Sequence, residues 1–209
     1  GGGFGGKTVV YLEPLALALS RIACQPVHMV MPRTDLFRAT GPTSGANMVI
    51  KIGAKNDGTI TAGSAVLKFQ AGAYAGSPVQ PGCMCAFAPY DLEHVKVIGY
   101  DVVTNRPKVA AYRAPGAPIS EYAVESLVDE LAKKLNIDPV ELRLKNAAKE
   151  GTRAAYGPKF GPVGLIETLN AVKDTEHYKM PLGPNQGRGV ASGFWFNIGG
   201  ETSASLLLN

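Results

Sequence analysis

Asn56-Asp57-Gly58 stands between two runs rich in alternating apolar residues, Asn47 to Ala54 and Thr59 to Phe69, and it fixes the first element of the fold. An Asp-Gly pair tolerates the positive φ values that a tight turn between antiparallel strands demands, so the two runs are predicted to form a hairpin. A further strand is expected over Val95 to Val103. The turn Asn105-Arg106-Pro107 follows it and leads into another strand at Val109 to Tyr112. Upstream, Leu12 to Ala23 carries Leu15, Leu17, Leu19 and Ile22 in a helical run that Pro26 ends, and Val27 to Val30 reads as a buried strand.

Downstream the pattern turns helical. Ser120 is placed to cap a helix carrying Ala123, Leu127, Leu131 and Leu135, which Asn136 stops. Asp138-Pro139 starts a second helix, because Asp caps and Pro at the first helical position gives up no hydrogen bond; Leu142, Leu144 and Ala147 continue it to about Lys149. Gly151 to Gly164 reads as a loop, Leu165 to Val172 as a short helix, Met180 to Arg188 as a loop, and Gly189 to Asn197 and Ser203 to Leu208 as strands. The order implies an α+β fold, with mixed β-sheets carrying helices on one side. Residues 1–117 are expected to be mostly β with ligand-facing loops, 118–186 helical, and 187–209 the start of a further β segment.

Composition narrows the function. The chain has 209 residues, 45% hydrophobic and 18% charged, enough to bury a core. Its greasiest run, Tyr11 to Cys24, is broken by Glu13, Pro14, Ser20 and Arg21, so no membrane span is expected. The net charge of +4 is dispersed, without the Lys/Arg clusters and interleaved aromatics of a nucleic-acid surface. Cys24, Cys83 and Cys85 are too few for a disulfide framework and point to a reducing, cytoplasmic setting. Cys83-Met84-Cys85 lacks the second pair or neighbouring His of a metal site and reads as small buried hydrophobes. His28, His94 and His177 show no ligand spacing. The opening without an initiator Met and the apolar close Leu206-Leu207-Leu208 suggest a piece of a longer polypeptide.

Two segments carry chemistry. Gly1 to Lys7 holds five glycines in seven positions, which lets backbone N–H groups approach a polar or anionic ligand. Its spacing is not that of a P-loop, and Phe4 gives it an apolar anchor that a flexible linker does not need. Ala111-Tyr112-Arg113-Ala114-Pro115-Gly116-Ala117-Pro118 sets an arginine in a stiff turn of small residues. A planar fork of donors suits phosphate, carboxylate or oxo groups. From the residues alone, a solvated surface arginine fits this segment equally well.

Together, in this order, the two segments resemble the molybdenum hydroxylases of the xanthine oxidase and aldehyde oxidase family. So do Pro26 to Gly45, Ile137-Asp138-Pro139-Val140-Glu141-Leu142-Arg143-Leu144-Lys145-Asn146, and Gly187-Arg188-Gly189-Val190-Ala191 ahead of Gly193-Phe194-Trp195-Phe196. The resemblance covers essentially the whole chain and implies part of a molybdenum-cofactor-binding large subunit. It implies cofactor contacts for Gly3, Phe4, Gly5, Arg113 and Ala114, with Arg113 also catalytic. The cofactor is a molybdenum-pterin, expected in a dinucleotide form. The implied reaction hydroxylates a heteroaromatic ring carbon or an aldehyde with oxygen from water. [2Fe-2S] clusters and FAD are expected on an iron–sulfur subunit and an FAD subunit, in a possible dimer of heterotrimers. The family's catalytic glutamate has no counterpart here, so the base is unassigned. The competing reading is a catalytically silent scaffold or assembly module of the same fold.

Departures from the family bear on substrate. Thr8 stands where purine oxidisers use a glutamate, and Pro115 where they place an aromatic. No Arg lies between Gly72 and Tyr100 to match their substrate arginine, which makes xanthine a poor fit. The loop Arg113-Ala114-Pro115-Gly116 has no Cys, against a copper-bearing site. The resemblance also implies that the substrate pocket draws on Thr8, Pro115 and, from a region that lines the pocket in the family, Phe196. Phe194 and Phe196, alternating around Trp195, fit core aromatics of a strand as well.

Overall fold

The computed structural model describes residues 3–6, 8–196 and 205. The hairpin forms as the Asp-Gly turn requires: β1 (Ala46–Ala54) and β2 (Ile60–Gly72) are antiparallel, and Gly58 sits at φ +86°. β3 (His94–Val103) joins the other edge of β2 in parallel, which needs a crossover. α3 (Val79–Cys85) supplies it; the earlier helices are α1 (Glu13–Ala23) and α2 (Arg33–Ala39). The later ones are α4 (Ala117–Leu135), α5 (Pro139–Asn146), α6 (Leu165–Lys173) and α7 (Glu176–Lys179).

One face of this mixed sheet is covered. In the three-strand register, Ile50, Ala65 and Val97 lie side by side, flanked by Met48 with Leu67 and by Ile52 and Val95 around Gly63. These residues and Phe69 pack against Val124, Val128 and Ala132 of α4. Removing a side chain such as Leu67 or Phe69 from water contributes roughly 1.5–3 kcal/mol each. The opposite face, with Val49, Val66 and Lys68, is left uncovered among the described residues. The α+β expectation, helices on one side of a mixed sheet, is met with a single three-stranded sheet among the described residues.

Several local expectations are corrected. Val27 to Val30 and Val109 to Tyr112 form no strand, and Gly189 to Phe196 runs without a ladder. The remaining strand, Ser203 to Leu208, lies outside the described residues apart from Ser205, as does Asn197. α4 begins at Ala117, not after Ser120; the Ser120 hydroxyl lies inside the helix and donates to the carbonyls of Gly116 or Ala117 at 3.2 Å. α5 stops at Asn146 because its side chain is committed to the hairpin, donating to Gly58 O at 2.9 Å and accepting from Ile60 N at 2.8 Å. α3 was hidden by Pro81 and Gly82, poor helix formers. Gly82 fits because a Cβ there would stand 3.1 Å from the Phe69 ring, so packing overrides propensity.

Candidate functional site

The loop that carries Arg113 is bound to β2 and to the loop before β1 by single hydrogen bonds. Val109 N donates to Ala71 O at 3.0 Å and Ala110 N to Pro42 O at 3.2 Å. A Cβ on Gly41 would lie 2.3 Å from that of Ala110, so the two loops meet backbone to backbone. Gly116 closes the turn at φ +88°, where a Cβ would come within 2.1 Å of Pro78 O; only glycine fits there. Ala114 takes a positive φ of 53° without that freedom, a strained setting typical of ligand loops.

The two chemistry-bearing segments meet. Arg113 N donates to Phe4 O at 2.8 Å, joining residues far apart in sequence. Phe4 and Gly5 both have positive φ, 51° and 88°, and a Cβ on Gly5 would press against the Ala111 backbone at 3.1 Å. Thr8 Oγ1 donates to Gly5 O at 2.8 Å and closes the glycine turn. Phe4 and Gly5 are thus held against residues 111–113, with Thr8 tied to Gly5 and Phe4 largely exposed.

Electrostatics favour an electron-rich ligand. The Arg113 guanidinium is exposed and, among the described residues, no carboxylate lies within 4.0 Å of it. α4 starts directly after the loop without a side-chain cap, so its positive end adds to the field. Beside Arg113 opens a cavity of about 300 Å³, walled by Met48, Pro78, Ala110, Tyr112, Pro115, Ile119 and Tyr122, with Thr43 at one side. Pro115 therefore lines a pocket next to Arg113. Thr8 and Phe196 do not line this cavity. Phe196 packs at 5.6 Å on Tyr156 and 5.2 Å on Phe194, in a cluster extended by Phe160.

A second polar constellation was not singled out from the sequence. Arg143, fully buried, donates through Nε to Glu125 at 2.9 Å and reaches Asp129 at 2.7 Å. Glu125 also accepts from the Tyr90 hydroxyl and, at 2.7 Å, from Ser192 N. Burial first, and Glu125 next, hold the Tyr90 phenol well above its ordinary range. Glu121, one turn earlier, accepts from Phe194 N at 2.7 Å; burial, with the Glu125 charge adding to it, pushes its carboxyl up to about 7. Burial and then Glu121 push the Cys85 thiol up to about 12, so it is no nucleophile. These groups fasten α4 to α5 and to residues 192–194. The signal available in the sequence was the helical offset of Glu121, Glu125 and Asp129 on one face of α4.

Known proteins resemble this chain in sequence and fold. The family model of the molybdopterin cofactor-binding domain matches residues 1–147. The nicotinate dehydrogenase large molybdopterin subunit of Eubacterium barkeri is 32% identical over 178 residues, 83% of this chain and 42% of that one. The xanthine dehydrogenase molybdenum-binding subunit of Escherichia coli O157:H7 is 34% identical over 81% of this chain and 23% of its own. Among solved structures, the aldehyde oxidoreductase from Desulfovibrio gigas superposes with a TM-score of 0.76 at 31% identity, covering 83% of this chain and 19% of that one. The chain thus spans between about a fifth and two fifths of these relatives. No described helix is long and apolar enough to cross a membrane.

Proposed function

The chain belongs to the molybdopterin cofactor-binding domain family, and from that premise we propose that it forms one wall of the active site of a molybdenum hydroxylase acting on a heteroaromatic ring carbon or an aldehyde. The observation that carries this reading is the Arg113 N–H bond to Phe4 O, which joins the glycine run and the arginine loop into one surface. Among the described residues the N–H groups of Gly5 and Gly6 have no protein partner, and the exposed Arg113 fork has no carboxylate. A molybdenum-pterin cofactor, rich in anionic and oxo acceptors, fits that donor set.

When bound, the cofactor supplies the two-electron redox chemistry. The chain's own residues position and polarise. Gly3, Phe4, Gly5 and Ala114 hold the cofactor edge, and Arg113 stabilises charge developing on the substrate. Glu121 is not the base, because it is engaged with Phe194 N and faces a different cavity from the one beside Arg113. The proton acceptor is assigned to another part of the complete subunit. The dinucleotide form of the pterin, and electron transfer through separate [2Fe-2S] and FAD subunits in a dimer of heterotrimers, complete the proposal. The relatives named for nicotinate and aldehyde oxidation support this substrate class; Thr8 and Pro115 count against purines.

The test uses the complete large subunit expressed with its partners, with molybdenum content and turnover measured together. Arg113→Ala is expected to retain metal and lose on the order of 100-fold in turnover, and Arg113→Lys to fall between, since it keeps charge but not the planar fork. Full metal with unchanged turnover in Arg113→Ala would remove Arg113 from the mechanism. Absence of molybdenum from the wild-type subunit would remove the function itself.

A further inference from the structure

We infer that Tyr122, with Tyr112 also in the lining, makes the cavity beside Arg113 selective for a flat aromatic ring over a puckered ring of equal size; this rests on the function proposed above and adds a specificity residue to it. Tyr122 lies on the first turns of α4, one helical turn after Pro118 and three residues after Ile119, so all three present to the same cavity. Tyr112 immediately precedes Arg113, and Met48 enters from β1. The interior is apolar, and among the described residues its lining contains no Asp, Glu or Lys; Arg113 is its one charged group.

Two observations separate this cavity from ordinary surface. Tyr122 and Tyr112 stay 75% and 61% exposed although both line it, so two large aromatic residues bordering one cavity are left largely in water. Large aromatics gain most when a partner covers their faces, and grouped exposed apolar surface marks a binding site. The volume of about 300 Å³ is at the small end for ligand sites and suits one ring or two fused rings. Aromatic faces add offset-stacked or edge-on contacts that a saturated ring cannot return. Bulk alone would favour the saturated ring, which carries more hydrogen and more apolar surface. Flatness is therefore the property that the tyrosine walls select.

The experiment measures equilibrium binding of benzamide and of cyclohexanecarboxamide by isothermal titration calorimetry, which needs no turnover. Benzamide is expected to bind about 5-fold or more tightly than its saturated counterpart, the size of a favourable aromatic contact. Tyr122→Phe should keep that ratio, and Tyr122→Leu, which keeps bulk but not the ring, should bring it to about one or below. Because Tyr122 is exposed, neither change is expected to unfold the protein. Equal affinities in the wild type, or an unchanged ratio in Tyr122→Leu, overturn the inference. In the active complex the same ratio should appear in KM for benzaldehyde and cyclohexanecarbaldehyde, with kcat little changed. Turnover of both at equal KM sinks the inference and leaves the function standing. Selective binding without molybdenum sinks the function and leaves the selectivity.

Discussion

Residues 3–45 and residues 46–196 draw on the same kinds of apolar side chain in similar helical and extended patterns, yet only the second stretch builds a core. α1 and α2 contain no buried residue, and Leu17 and Ile22 of α1 are 73% and 80% exposed. Among the described residues up to Gly45, Ser44 alone is buried. β2 and α4, by contrast, bury Leu67, Phe69, Val124 and Val128 completely or almost so. A leucine at helical spacing reports that a helix can form; whether it is buried depends on which surface faces it. The N-terminal segment is tied to the body by hydrogen bonds, at Arg113 N to Phe4 O, Ala110 N to Pro42 O, Gln70 N to Gly45 O and Ser44 Oγ to Gln70 O, and not by an apolar side-chain core.

The sharpest way to break this contrast is at the polar centre of the body. Arg143→Ala leaves Glu125 and Tyr90 buried without their cationic partner, and loss of one member of a buried pair typically costs about 3–5 kcal/mol. Urea unfolding is expected to show that loss, with the midpoint lowered and the slope unchanged. A loss under about 1 kcal/mol would mean that the body does not depend on this network and that its distinction from the N-terminal segment is one of burial alone.

The body was also the more legible half, for a local reason. The hairpin followed from Asp57-Gly58, the α4 stop from Asn136 in the left-handed region at φ +54°, and the α5 start from the Asp138 side chain accepting from Val140 N and Glu141 N. Each is a signal held within a few residues. The buried stripe of α4 runs through Val124, Val128 and Ala132, one position on from the periodic residues Ala123, Leu127, Leu131 and Leu135, which are only half buried beside it. Glu125 lies in that stripe, and no rule of hydrophobic period places an acid in a core; only Arg143 of another helix explains it. Of the candidate site, Phe4, Gly5 and Arg113 came from motif and resemblance. Tyr122 did not, because its cavity exists only once the loop, β1 and α4 are assembled.

A smaller effect tests how α4 holds the segment that returns to it. Glu121 has its carboxyl raised to about 7 from an ordinary 4.5, so the folded state binds its proton more tightly than the unfolded chain. The stability tied to this proton is therefore fully present below about pH 4.5 and is lost as pH rises towards 7. Glu121→Gln keeps a carbonyl to accept from Phe194 N and removes the charge that burial and Glu125 disfavour. The variant should be more stable than wild type at pH 8, by about 1–2 kcal/mol after allowing for partial solvation, and nearly equal to it at pH 5. Thermal melts at both values decide the matter. A variant less stable at pH 8 would show that the ionised carboxylate is needed to hold residues 192–194.

The smallest expected effect lies in the N-terminal segment and bears most directly on the contrast. Leu17 is 73% exposed on α1, with no described side chain closing over it. Leu17→Gln removes apolar surface that is already in water, and Gln is close to Leu in helix propensity. Stability should change by no more than about 0.5 kcal/mol, as for ordinary surface substitutions. The same change at Val128 places an unpaired amide in the core and should cost several times as much, on the order of 2–4 kcal/mol. Paired urea titrations of the two variants give the ratio directly. A loss above about 2 kcal/mol at Leu17 would mean that α1 is covered in solution, by another copy or by further polypeptide. The two regions would then differ in which molecule supplies their cover, and not in whether they have one.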